Sequence, residues 1–74
     1  MANEEYTASN PKYPNVEIEL TGVDGNAFVI LGRVQSEARR AGLPENEIKE
    51  FMTEAQSGDY GHLLATCMKW FRIS

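Results

Sequence analysis

Apolar and polar positions alternate in ways that divide the chain into five elements. Val16, Ile18 and Leu20 alternate with Glu17, Glu19 and Thr21, a period of two that predicts a strand with one buried and one acidic face. Residues 22–26 break that period and turn the chain. A helix over residues 26–41 follows: Ala27, Ile30, Leu31, Val34, Ala38 and Ala41 share one face of a helical wheel, and Arg33, Gln35, Ser36, Arg39 and Arg40 the other. Gly42 stands where a left-handed cap would end it. The second helix starts after Leu43 with Pro44 in its first position, and Ile48, Phe51, Met52 and Ala55 form its apolar stripe. Glu47, Glu50 and Glu54 lie opposite, and Glu45 is spaced to pair with Lys49. Gly58 ends this helix and Asp59 caps a third over residues 60–70. Its buried face reads as Tyr60, Leu63, Leu64, Cys67, Met68 and Phe71, with Trp70 at the flank. A lone strand leaves its backbone groups unsatisfied, so residues 71–74 are expected to pair with the first strand; a strand of a neighbouring protomer is the other candidate. The fold class expected is α+β, a single small domain with one N-terminal strand, three helices and a short C-terminal strand.

One segment departs from this division. Phe28, Val29, Ile30 and Leu31 are consecutive apolar residues at the start of the first helix, so that end is apolar all round. Once Ile30 and Leu31 face the core, Phe28 and Val29 need other cover, and Gly32 would let a second backbone come close. Either the strand, the tail or another helix supplies that cover, or the patch receives a second protomer or a target.

Size and charge narrow the function classes. The chain has 74 residues; residues 1–13 are polar and read as a flexible N-terminal tail, leaving residues 14–74 as the domain. A domain of this size buries only about 60% of its unfolded surface, which favours a binding module or an oligomer over an enzyme with a deep pocket. The formal net charge is −4, a poor starting point for neutralising phosphates, so nucleic acid is not the expected partner. Cys67 is the single cysteine, which excludes an internal disulfide and a cysteine-rich zinc site. No apolar run approaches a membrane span, and no basic-then-apolar leader opens the chain; a cytoplasmic location is expected.

The candidate chemistry is sparse. Asp24-Gly25-Asn26 starts like a calcium loop, but the fifth position is Phe28 and the twelfth Gln35, so the ligand set fails. It lacks the glycines and the lysine of a phosphate loop, and Asp24 would repel the anion. Asp24, Asn26, Asp59 and Tyr60 read first as turn and cap residues. His62 and Cys67 fall on different sides of the third helix, which argues against a Cys–His nucleophile; His62 reads as solvated and Cys67 as a small core residue. Arg33, Arg39 and Arg40 are either a solvated face or a small anion-binding surface. Glu17, Glu19, Glu47, Glu50 and Glu54 could present an acidic face to a basic partner. Trp70 closes the core, or anchors an interface if it is exposed. No catalytic residue, metal or cofactor is expected.

The strings Glu19-Leu20-Thr21-Gly22, Asp24-Gly25-Asn26-Ala27-Phe28, Leu31-Gly32, Arg40-Ala41-Gly42, Ser57-Gly58-Asp59-Tyr60 and Leu63-Leu64 resemble a family of short bacterial and phage proteins without an assigned activity. The resemblance runs over residues 16–73 and implies a stand-alone accessory protein associated with mobile elements. It brings no catalytic residues. The function expected is a non-enzymatic protein that binds and modulates a host or defence macromolecule. The alternative is a small homo-oligomer, such as a homodimer, holding a nucleotide or other anion through helix-start N–H groups and Arg33 or Arg40.

Overall fold

A computed structural model describes residues 11–74; the greater part of the expected tail lies outside the described residues. The chain runs through β1 (Tyr13–Ile18), α1 (Ala27–Arg40), α2 (Glu45–Ala55), α3 (Tyr60–Trp70) and β2 (Phe71–Ile73), the α+β architecture read from its patterning. β1 and β2 are parallel neighbours in a two-stranded sheet. Parallel pairing needs a long crossover, and here the three helices supply it. Tyr13 pairs with Phe71, then Glu17 with Arg72 and Ile18 with Ile73, with an irregularity between Tyr13 and Glu17. Pro14, which has no N–H to give, sits inside that interruption. Beyond the strands, Ser74 N–H donates to Ile18 O at 3.0 Å and Leu20 N–H to Ser74 O at 2.8 Å.

The first strand therefore begins before Val16 and ends before Leu20. Tyr13 is not tail, and neither are its two predecessors: Pro11 is buried, and Lys12 N–H donates to Lys69 O at 3.0 Å. An aromatic cluster holds this segment. The Tyr13 ring stacks 6.0 Å from Trp70 and 5.9 Å from Phe71, and the Lys12 ammonium sits 4.1 Å from the Trp70 ring centroid. Apolar burial was the signal for the strand, and this amphipathic start carried too little of it.

α1 buries Ile30, Leu31, Val34 and Ala38 as the wheel predicts, while Ala41 is exposed as the C-cap. Gly42 takes φ +96°, the left-handed value expected after a helix end. Pro44 is the N-cap of α2 rather than its first residue, one position from expectation. Glu45 does not pair with Lys49; it accepts two bonds from Arg39, at 2.8 and 3.1 Å, because the planar guanidinium offers a two-pronged fit that an ammonium does not.

α3 shows the larger rotation. Its buried residues are Leu63, Thr66, Cys67 and Trp70, whereas Tyr60 and Met68 are exposed. Thr66 is polar, but its hydroxyl donates to His62 O at 2.7 Å, so it enters the core with its hydrogen bond made. Trp70 is 2% exposed and packs edge-on against Phe51 at 5.6 Å. The tryptophan is a core residue, and the interface-anchor reading of Trp70 is withdrawn.

Candidate functional site

The two polar strings meet in space. Asp24 Oδ1 accepts from Asn26 N–H at 2.9 Å, and Asn26 Oδ1 accepts from Phe28 N–H at 2.8 Å, so each side chain closes a turn two residues ahead. Asn26 thereby caps α1. On the second string Asp59 Oδ1 accepts from His62 N–H at 2.9 Å and caps α3. The Tyr60 hydroxyl then reaches 35 positions back and donates to Gly25 O at 2.6 Å. That bond ties the start of α3 to the start of α1.

Between the two helix starts lies an apolar cleft of about 230 Å³. Ala27, Phe28 and Leu31 line it from α1, and Ala55, Tyr60 and Leu63 from α2 and α3. Phe28 is 79% exposed at its lip, and Val29 and Tyr60 are 43% and 45% exposed. The four-residue apolar run thus splits as the helix geometry demands, with Ile30 and Leu31 buried and Phe28 and Val29 outside. Gly32 is open, with no neighbour near the place a Cβ would occupy.

The basic face does not assemble. Arg39 is committed to Glu45, Arg40 lies 3.6 Å from Glu37 on its own helix, and Arg33 is exposed without an ion pair among the described residues. The helix-start N–H groups of Phe28 and His62 are already taken by Asn26 and Asp59. The acidic face is also dispersed. Glu47 Oε1 accepts from the Tyr13 hydroxyl at 2.6 Å and from Lys12 Nζ at 3.0 Å. Glu54 accepts from Lys69 at 2.6 Å and from Trp70 Nε1 at 3.1 Å. These donors hold both carboxyls below the ordinary glutamate value, Tyr13 foremost at Glu47 and Lys69 foremost at Glu54. Glu17, Glu19 and Glu50 remain exposed.

One juxtaposition had no clear signal in the sequence. His62 is half-buried, with Nε2 at 3.1 Å from Ser57 Oγ. The pair resembles a nucleophile and its base, but the protons are placed otherwise. Nε2 lies 2.8 Å from Glu54 O, an acceptor only, so Nε2 carries the hydrogen. The Ser57 hydroxyl donates to the same carbonyl at 2.7 Å. Both groups cap the end of α2, leaving no lone pair on Nε2 to take a proton from serine. Gly58 leaves room for the ring, since an added Cβ there would fall 2.7 Å from His62 Cγ. Cys67 is buried away from this pair, and burial pushes its thiol up to about 11. Among the described residues no three His, Cys, Asp or Glu side chains converge as a metal site would need, and no helix is long and apolar enough to cross a membrane. In comparisons with protein-family models, curated proteins and solved structures, nothing matches this chain.

Proposed function

We propose that the protein is a small non-enzymatic accessory protein that binds another protein through the cleft between the starts of α1 and α3, and modulates it by occupying one of its surfaces. The observation that carries this reading is Phe28, 79% exposed at the lip of an apolar cleft. Burying a phenylalanine side chain stabilises by roughly 1.5–3 kcal/mol, and the fold leaves that gain for a partner to realise. The lip is also held in place: Asn26 fixes the backbone at Phe28, and Tyr60 clamps the loop before it. A backbone held in place in this way loses less freedom on binding than a mobile loop would. The resemblance to short phage and bacterial proteins adds the context of a host or defence target in the cytoplasm.

The anion-binding alternative has less support, because the helix-start N–H groups of Phe28 and His62 are already paired and Arg40 lies 3.6 Å from Glu37, which leaves it Arg33 alone. Affinity capture from host lysate separates the readings. Phe28→Ala should lose a stoichiometric protein that the wild type and Arg33→Glu both retain. Capture that ignores Phe28 but fails with Arg33→Glu would move the site to the basic face and overturn this reading.

A further inference from the structure

We propose that the cleft takes a protein segment presenting an apolar anchor side chain flanked by lysine or arginine, a proposal that rests on the binding role argued above. The anchor follows from the cleft itself. At about 230 Å³ it falls below the roughly 300–1,000 Å³ of pockets that engulf a whole small ligand, and its walls are mostly alanine, leucine and aromatic carbon. It has the size and chemistry to receive a side chain from a larger molecule.

The flanking charge follows from the rim. Asp59 lines the cleft, and Asp24 immediately precedes Gly25, whose carbonyl receives Tyr60. Each carboxylate spends Oδ1 on a backbone N–H, both side chains are exposed, and neither has a Lys or Arg partner among the described residues. Two helix starts meet here, each contributing about half a positive charge; the two full carboxylate charges outweigh them. No basic residue lines the cleft, and the chain as a whole carries −4. The same rim disfavours a second copy as occupant, since a two-fold pairing would set Asp24 and Asp59 against their own duplicates.

The test is a titration of isotope-labelled protein with short synthetic peptides that share one Leu-Phe anchor and differ in flanks of Lys, Glu or Ser, read by amide chemical shifts. The Lys-flanked peptide should shift Ala27, Phe28, Tyr60 and Leu63 and bind most tightly. Asp24→Asn with Asp59→Asn should weaken it roughly three- to tenfold, while both asparagines keep their turn and cap bonds and hence the fold. Glu-flanked peptide binding the cleft equally well would overturn the charge preference and leave the binding role standing. No shift at the cleft with any peptide would overturn the proposal, and Phe28-dependent capture of a protein would then decide the binding role separately. A dimer in sedimentation that Phe28→Ala dissolves would overturn it in favour of a second copy.

Discussion

The carbonyl oxygen of Glu54, in the last turn of α2, takes two side-chain donors, the Ser57 hydroxyl and His62 Nε2. Gly58 makes that arrangement possible by leaving room for the imidazole. An added methyl would meet His62 Cβ at 2.8 Å and Cγ at 2.7 Å, atoms near the backbone of α3 that cannot swing aside. Gly58→Ala is expected to cost about 1–3 kcal/mol through overpacking and the lost histidine bond, measured by urea denaturation. Unchanged stability would show that the ring can leave Glu54 without cost. The chain suggests Gly58 as a helix terminator, whereas α2 ends at Ala55 with Gln56 as its C-cap and Gly58 takes no left-handed φ; its close approach to His62 is not legible there, because that depends on the angle at which α3 leaves the turn.

At the scale of elements, two glutamates of α2 act as ties. Glu54 joins α2 to the end of α3 through Lys69 and Trp70, and Glu47 joins α2 to the residues leading into β1 through Tyr13 and Lys12. Both carboxyls are held below their ordinary value of 4.5 in the folded state. A depressed carboxyl pKa contributes stability that is fully present above the unfolded value and lost as pH falls through the folded one. The melting temperature should therefore drop on acidification from about pH 5 to about pH 3, and Glu54→Gln should lower it near neutrality while flattening part of that acid slope. An identical slope in the variant would remove Glu54 from the account. The spacing of Glu47, Glu50 and Glu54 places these residues off the apolar stripe. Their donors come from distant parts of the chain, so a helical wheel cannot show that two of them are ties while Glu50 has no ion pair among the described residues.

For the whole molecule the centre is aromatic. Phe51 is 1% exposed and meets Trp70 at 5.6 Å and Phe71 at 5.4 Å, so one side chain of α2 touches both the end of α3 and β2. A domain of this length has roughly 3–10 kcal/mol of total stability, and truncating a buried phenylalanine costs about 3–5 kcal/mol. Phe51→Ala is thus expected to lose its cooperative melting transition, or keep only a broad one near room temperature, as read by circular dichroism. Phe28→Ala should melt as the wild type does, since Phe28 lies almost wholly outside the core. Equal loss in the two variants would mean that the Phe28 side chain contributes to the fold as much as Phe51 does.

The sequence by itself determined the order of elements, the caps at Asn26 and Asp59, the left-handed turn at Gly42 and the apolar faces of α1 and α2. All of these depend on residues within a turn or two of each other, where periodicity and side-chain reach suffice. It also marked Phe28 and Val29 as residues in need of cover. Only the tertiary structure decided that the described residues leave Phe28 open. It alone joined Tyr60 to Gly25, turned Trp70 into the core and Tyr60 out of it, and drew Tyr13 from the expected tail into β1. Those outcomes turn on how α3 is rotated about its axis and where β2 returns beside β1. That choice is made by the summed packing of Tyr13, Phe51, Trp70 and Phe71, contributed by segments far apart in the chain.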